Sequence, residues 1–400
     1  MALVGIVLVA LSLRTAVAVI SPIAAQIGVD IPLTEVSLGL IGALPPVAFA
    51  LSGLFGAALA KRIGLERLLL ISIVAMVAGH AVRGIADSYA VLFIGSIVLF
   101  AGIGVGNVLV PALVKRHFPD RIALLTTIYV TVIAVGATVP AVVAAPIADT
   151  AGWRLSLGVW AVVAAASLVP WIAVVLKNRR DRAATSPGEL FGASTGSTAS
   201  TASAGRIWHS RTAWLLAAIF ALSSSHVYAL FSLLPSILID RTGVSPTEAG
   251  FLLGVYTLAG MPPAIVVPIL VARMRNPGLL MQVGIGCFVM GYTGLLLVPA
   301  VLTPLWVLLA GFGPLVFPAV LVLINLRSRT AEGSVALSGF VQGIGYAVGA
   351  AGPLLLGVLH VVTGGWELPL LVLIASALAC TIAAARIGRH SFVEDEIQRM

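Results

Sequence analysis

Charged side chains are scarce in this sequence. Asp, Glu, Lys and Arg make up 10% of its 400 residues, whereas a soluble domain carries about 25%. Hydrophobic residues make up 60%, and the mean hydropathy is +1.12. A chain this poor in charge cannot cover the surface of a water-soluble fold, which excludes that class. Apolar runs of about 20 residues, long enough to cross a bilayer as a helix, recur along the chain and predict an integral membrane protein.

Cysteine and the usual catalytic groupings are scarce as well. Cys287 and Cys380 both lie inside apolar runs, so neither a disulfide framework nor a zinc site is indicated, and both are expected to pack as small hydrophobes. The GxGxG string at 102–106 also lies inside an apolar run, without a preceding strand. It therefore favours close helix packing over nucleotide binding. We expect no enzyme activity, no metal and no cofactor.

The net charge of +8 is distributed unevenly along the chain. Basic clusters occupy every second gap between apolar runs, whereas the intervening gaps hold only Arg83, Arg154 and Arg241. This alternation is the positive-inside pattern of a membrane protein, and it argues against a nucleic-acid partner. It predicts a multi-pass protein of the cell (inner) membrane with both termini in the cytoplasm. The basic clusters lie at 61–67, 115–121, 177–211, 273–275, 327–329 and 386–399.

Apolar runs and charge together predict an all-α integral membrane fold with twelve transmembrane helices. The predicted boundaries, with errors of a few residues, are 2–28, 35–59, 68–86, 89–114, 122–148, 153–176, 212–239, 247–272, 278–299, 304–326, 332–361 and 367–386. The first run lacks the features of a cleaved signal peptide, so it is counted as the first span.

A low-complexity stretch divides the chain into two halves. Residues 177–211 run from KNRRDR into STGSTASTASAG, a composition typical of a flexible linker. We therefore predict an N-terminal six-helix bundle (1–176), a cytoplasmic linker (177–211), a C-terminal six-helix bundle (212–386) and a cytoplasmic tail (387–400).

The two halves repeat each other at a constant spacing of 213 residues. TAGWRLSL of the first half corresponds to TGGWELPL of the second, and the same offset relates proline, threonine and glycine positions from the first span to the last. Parallel repeats of this kind are the layout of transporter halves, with the binding site at their interface near the middle of the membrane. The sequence thus predicts two pseudo-symmetric six-helix bundles.

Acidic residues are absent from the middle of every predicted span, and Arg14 is the cation that lies deep in one. It is 14 residues, hence about 21 Å, from the far end of its predicted span. A structural interpretation has Arg14 reaching toward the membrane surface or bonding backbone carbonyls. A functional interpretation makes it a fixed cation for an anionic substrate, because a guanidinium binds a planar anion through a bidentate fork.

Uncharged polar groups at mid-span positions complete the candidate substrate site. Each one alone is equally consistent with hydrogen bonding between helices, but their occurrence in both halves favours a shared cavity. His226 is also the candidate for proton coupling, because a histidine titrates near neutral pH; a neutral packing role is the alternative. The candidate substrate-binding residues are Arg14, Asn107, Tyr129, His226, Tyr228, Tyr256, Gln342 and Tyr346.

Several strings resemble a known family. LRT at 13–15, ALPP at 43–46, GNVLVPALVKRHFPDR at 106–121 and GFVQGIGYAVGAAGPLLLG at 339–357 resemble the cyanate permease branch of the major facilitator superfamily, which includes transporters of cyanate and of nitroimidazole-type compounds. The first span of that branch commonly reads Asn-x-Arg-Pro. Arg14 matches this pattern, whereas Ser12 and Thr15 replace the asparagine and the proline.

The loop AALAKRIGLER at 57–67 resembles the basic loop signature of the same superfamily. Arg62 and Gly64 match it, which implies a role in the conformational change, whereas Ala57 and Lys61 stand where a glycine and an acid are usual. The resemblance implies the major facilitator fold and transport of a small solute by alternating access.

We therefore expect a secondary transporter, not an enzyme, for a small organic or inorganic anion or a compact polar aromatic. The alternative within transport is an exporter of neutral or cationic hydrophobic compounds, and a third class is a membrane enzyme or receptor. The expected partners are the small-molecule substrate, the lipid bilayer and, as a candidate coupling ion, the proton. Twelve spans with their own internal interface are expected to work as a monomer.

Overall fold

The computed structural model describes residues 1–184, 207–329, 331–387 and 392–398. Within them, twelve helical segments are long and apolar enough to cross a membrane, which confirms the predicted number. Lipid offers no hydrogen bonds, so each crossing segment must satisfy its backbone internally, and helices do this. The spans are numbered 1 to 12 in chain order.

Seven of the twelve spans are single helices, and five are assembled from shorter pieces. Breaks occur beside proline or glycine, for example at Gly260 before Pro262 and at Gly313 before Pro314, because proline removes a backbone donor. The helices are Ala2–Val19, Ser21–Ile23 and Ala24–Asp30 (span 1); Glu35–Ile63 (2); Leu65–Gly84 (3); Tyr89–His117 (4); Ile122–Ala151 (5); Trp153–Gly158, Trp160–Ala166 and Leu168–Ala184 (6); Arg211–Thr242 (7); Pro246–Ala259 and Met261–Arg273 (8); Pro277–Leu297 (9); Thr303–Phe312, Gly313–Leu315 and Val316–Leu326 (10); Ala331–Gly349 and Ala351–Thr363 (11); and Glu367–Ile387 (12).

Parts of the predicted linker and of the predicted tail form helix, and other parts lie outside the described residues. The last helix of span 6 continues to Ala184, into the stretch predicted as linker, and residues 185–206 of that stretch lie outside the described part. Near the other end, residues Val393–Gln398 of the predicted tail form a short helix.

Both halves tie their first and sixth spans together in the same way. Trp153 Nε1 donates to Asp30 Oδ2 at 2.9 Å in the N-terminal half, and Trp366 Nε1 donates to Asp240 Oδ2 at 2.8 Å in the C-terminal half. The two tryptophans are exchanged by the 213-residue offset. This shared tie supports the internal repeat that the sequence predicts. The tie lies at the end of the spans away from the basic loops. We call this end the opposite face, and we call the end that carries the basic loops the basic face.

A seam of close glycine contacts joins the two halves near the opposite face. A Cβ at Gly39 would lie 2.6 Å from the Pro353 carbonyl oxygen, and one at Gly250 would lie 2.6 Å from that of Ala141. Glycine permits such approach because it has no side chain. Span 2 therefore packs directly on span 11, and span 8 on span 5. This glycine seam consists of Gly39, Gly42, Gly250 and Gly357, each within 3.0 Å of the other half if a Cβ is added.

Polar contacts reinforce the seam. Ser21 Oγ donates to the Ser232 carbonyl oxygen at 2.5 Å, and the hydroxyls of Thr138 and Thr257 lie 2.8 Å apart. All of these contacts cross between the halves. The opposite face is thus closed, and any route into the centre of this structure must begin at the basic face.

Candidate functional site

A cavity of about 710 Å³ lies between the two halves. It extends from Arg14, twelve residues or about 18 Å into span 1, to Asn325 and Ser334 at the basic-face ends of spans 10 and 11. The cavity therefore reaches the middle of the membrane and opens toward the basic face. Its polar lining residues are Arg14, Asn107, Tyr129, Asn325, Ser334, Ser338, Gln342 and Tyr346.

Arg14 is the charged side chain among the described residues that line this cavity. Its Nη1 donates to the Tyr228 hydroxyl of span 7 at 3.1 Å, which links the two halves, and its Cζ lies 5.2 Å from the centre of the Phe49 ring. Ring faces attract a guanidinium. The cation is thus held by one hydrogen bond and by the rings of Phe49 and Tyr228, and no carboxylate is found within ion-pair distance of it among the described residues.

An aromatic cluster surrounds the inner end of the cavity. The Phe49 ring lies 5.6 Å from that of Tyr346, and the Phe220 ring lies 4.9 Å from those of Tyr346 and Phe317. The two pairs that involve Tyr346 are edge-to-face, an arrangement that favours a fixed orientation of the rings. The aromatic cluster consists of Phe49, Phe220, Tyr228, Phe317 and Tyr346, and it gives Arg14 a rigid, apolar surrounding.

The polar neighbours of Arg14 on span 1, Ser12 and Thr15, do not line the cavity. Ser12 Oγ donates to the Leu8 carbonyl, and Thr15 Oγ1 donates to the Ser12 carbonyl, both within their own helix. Both side chains are buried. The two residues that replace the asparagine and proline of the resembling family therefore satisfy themselves locally, and Arg14 is the polar side chain of this turn that lines the cavity, beside Leu13.

Four uncharged candidates from the sequence also line the cavity. Asn107 Nδ2 donates to the Ile103 carbonyl at 3.1 Å, and Gln342 Nε2 donates to Ser338 Oγ at 2.6 Å. Tyr129 and Gln342, which the 213-residue offset exchanges, lie on the two sides of the same cavity, and Tyr346 joins them. The structure thus brings together Arg14, Asn107, Tyr129, Gln342 and Tyr346.

Three other candidates lie behind the cavity wall. Tyr228 is 3% exposed and touches the site through Arg14. His226 faces away from the cavity into the C-terminal half, where its ring nitrogens hydrogen-bond with Tyr292 at 3.1 Å and Ser376 at 2.9 Å. Tyr256 packs its ring on Phe231. Proton coupling through His226 stays a prediction, and in this structure His226 does not contact the cavity.

Some lining residues did not emerge from the sequence. Phe49 is one, because an aromatic residue in an apolar span carries no polar signal. Asn325, Ser334 and Ser338 are others; Ser334 Oγ donates to Asn325 Oδ1 at 2.6 Å. The sequence feature that could have identified Ser334 and Ser338 is their spacing. Together with Gln342 and Tyr346 they follow one another at intervals of four residues, which places all four on one helix face.

The loop predicted to take part in conformational change lies at the basic face. Gly64 joins spans 2 and 3 with a φ of +91°, a conformation that favours glycine, and Arg62 is exposed. Glu66, just after this turn, pairs with Arg116 at 3.2 Å and lies 3.5 Å from His117. Burial lowers the pKa of His117, and the Glu66 carboxylate opposes this. An acid after the turn thus connects this loop to the end of span 4.

Among the described residues no group of His, Cys, Asp or Glu could hold a metal ion. A twelve-span fold of two repeated bundles around a central polar cavity defines a solute transporter. The sequence profile of the Major Facilitator Superfamily matches residues 2–350. The chain belongs to this family, so it is a membrane transporter and not an enzyme.

Comparison with individual proteins agrees with the predicted branch. The chain is 31% identical to the 2-nitroimidazole transporter of Escherichia coli (strain K12), covering 96% of this chain and 94% of that protein. It is 25% identical to the cyanate transport protein CynX of the same organism, covering 90% of each. In fold it is similar to an inward-facing, unoccupied crystal structure of a bacterial homolog of the human lysosomal transporter Spinster, with a TM-score of 0.73, 16% identity, and 100% and 97% of the two chains covered.

Proposed function

We propose that this transporter moves a small planar anion, or a compact polar aromatic of the nitroimidazole kind, by alternating access. The observation that carries the proposal is Arg14, a mid-membrane guanidinium that lines the cavity beside an aromatic face and without a carboxylate partner among the described residues. A charge at this depth costs from about 2.5 to more than 10 kcal/mol. A bound anion offsets that cost.

The composition of the cavity supports the same class of substrate. A guanidinium offers a planar fork of donors that matches a planar anion, and the Phe49 and Tyr346 rings beside it suit a flat solute. The amide groups of Asn107 and Gln342 supply neutral hydrogen-bonding partners at the cavity wall. The names of the two Escherichia coli relatives, for cyanate and 2-nitroimidazole, fall within this class.

The charge pattern supports an orientation in the cell membrane. Because basic loops stay in the cytoplasm, we place the basic face and both termini there. The cavity then opens inward and the glycine seam closes the outside. Transport requires the seam to open and the basic face to close, and we propose that the two bundles rock about the Arg14 site as a monomer.

The test measures the thermal stability of purified protein with cyanate, 2-nitroimidazole and the neutral analogue 1-methyl-2-nitroimidazole. A ligand at 100 times its Kd raises stability by about 2.7 kcal/mol. We expect at least one of the first two compounds to stabilise the wild type, and Arg14→Gln to abolish the shift. Arg14→Lys should retain only part of it, because lysine keeps the charge and loses the fork.

The matched control is Arg154→Gln, which removes an arginine paired with Asp30 at the opposite face, away from the cavity. It should bind as the wild type does. Equal shifts in wild type and Arg14→Gln would instead make Arg14 a structural residue, and stabilisation by neutral or cationic hydrophobic compounds alone would favour the exporter interpretation. Counterflow in proteoliposomes with the same compounds then tests transport itself.

A further inference from the structure

One face of span 11 combines polar side chains with bare backbone. Ser334, Ser338, Gln342 and Tyr346, the span 11 polar row, line the cavity at four-residue intervals. Gly339 and Gly343 also line the cavity, and each directly follows a member of this row in the sequence. The cavity wall on this side is therefore a strip of hydrogen-bonding groups flanked by two positions without side chains.

Helix packing accounts for other glycines of span 11 but not for these two. A Cβ added at Gly345 would collide with the Phe220 ring, at Gly349 with Ser224, and at Gly352 with Ser225. A Cβ at Gly339 or Gly343 meets no heavy atom within 4 Å. Glycine inside a helix is less stable than alanine, because it loses more conformational freedom on folding. The space beside these two glycines is left open at a cost in helix stability.

This open space adjoins the Arg14 site. Gly343 lies three residues before Tyr346, about one helical turn away, and the Tyr346 ring is 5.6 Å from the Phe49 ring on which Arg14 rests. Gly339 lies one turn further toward the basic face, beside Gln342. A solute held by Arg14 that is wider than a linear ion would occupy the space over these glycines.

We propose that Gly343, with Gly339, determines substrate size by leaving room for a ring-shaped solute beside Gln342 and Tyr346. The inference rests on the proposed function, since it takes the substrate to bind at Arg14. A planar heteroaromatic anion or polar ring lies over the bare backbone with its polar edge toward the Gln342 amide. A linear anion such as cyanate needs no such width and binds with or without it.

The experiment compares 2-nitroimidazole with cyanate on Gly343→Ala, Gly343→Val and Gly339→Val. Both binding, by thermal shift or calorimetry, and uptake into proteoliposomes are measured. We expect Gly343→Val to weaken 2-nitroimidazole binding about tenfold or more, because the valine side chain occupies the space that the ring needs, with a smaller loss for Gly343→Ala. Cyanate binding should stay within about threefold of wild type in every variant.

The matched control is Gly286→Val in span 9. A Cβ there also meets no heavy atom within 4 Å, but Gly286 does not line the cavity. It should leave both affinities unchanged. The thermal stability of each variant without ligand verifies folding, and Gly343→Ala provides the milder change if valine impairs it.

Two results would overturn the inference. The first is unchanged 2-nitroimidazole affinity in Gly343→Val, which would show that the open space is not used by the ring. The second is loss of uptake of both compounds with both affinities intact, which would make these glycines contacts of the outward-open state instead. Failure of the proposed function is separate: wild-type protein would then bind neither probe, or bind equally after Arg14→Gln.

Discussion

At the scale of single residues, two arginines inside the N-terminal half have contrasting environments. Arg14 reaches the cavity, where water and solute can reach it, and it is held by Tyr228 and Phe49. Arg83, in the last turn of span 3, is 1% exposed, and its Nη1 makes one long hydrogen bond of 3.5 Å to the Ala16 carbonyl. Its Nε and Nη2 have no partner among the described residues. The first arginine is available for binding, whereas the second is enclosed by protein.

This contrast predicts that Arg83→Met leaves the protein as stable as wild type or more stable. Burying a charge without an ion partner has a desolvation free energy that hydrogen bonding only partly offsets. An apolar side chain of similar length has no such desolvation penalty. The measurement is thermal unfolding in detergent, with the ligand shift of the wild type as a check on the site. A strong loss of stability would show that Arg83 has a charged or hydrated partner that it needs.

At the scale of elements, the short helix Val393–Gln398 connects the start of span 7 with the end of span 10. The Glu396 carboxylate accepts from Ser210 Oγ at 2.7 Å and from the Thr212 backbone N–H at 3.0 Å, at the start of span 7. Val393 N–H donates to the Arg327 carbonyl after span 10. A carboxylate at a helix N-terminus satisfies free N–H groups and complements the helix dipole. The terminal helix thus helps to cap span 7.

Glu396→Gln should therefore destabilise the protein by about 1–2 kcal/mol, because charge-assisted bonds at the cap are weakened. Asp395→Asn is the matched control on the same short helix. Asp395 forms an exposed pair with Arg329, and such pairs contribute only about 0–1 kcal/mol. Denaturation midpoints of the two variants measure the difference; an Asp395→Asn effect equal to that of Glu396→Gln would contradict the capping role.

At the scale of the whole molecule, the two bundles meet in an asymmetric way along the membrane normal. Near the opposite face they touch through glycines, as at Gly39 against Pro353. Toward the basic face they separate around the cavity. Backbone contact needs the absence of a side chain at specific positions, so the closed face is sensitive to single substitutions in a way that the open face is not.

Gly39→Val should therefore reduce the population of the state in which the opposite face is closed, because the added side chain cannot fit against the Pro353 carbonyl. A cysteine placed at Ser232, which is 9% exposed in the seam, reports the change. We expect a membrane-impermeant thiol reagent to label Ser232→Cys faster in the Gly39→Val background than in the background of the Gly286→Val control. Unchanged labelling in a folded Gly39→Val protein would show that the seam does not limit opening.

The order of the spans, their number, the internal repeat and the alternation of basic loops were all predicted from the sequence. They could be, because a bilayer acts on each segment separately: every span must be about 20 apolar residues long and must satisfy its own backbone. Arg14 was recognisable for the same reason, since a charge in such a run is costly wherever the helix lies.

The tertiary structure alone decided which polar residues face the cavity. His226 and Tyr256 turned out to lie behind the wall, while Asn325, Ser334 and Ser338 line it. A span that is apolar on every side gives little indication of its rotation about its own axis, because lipid and packed protein favour the same side chains. That rotation is set by contacts such as the glycine seam, between residues more than a hundred positions apart in the chain.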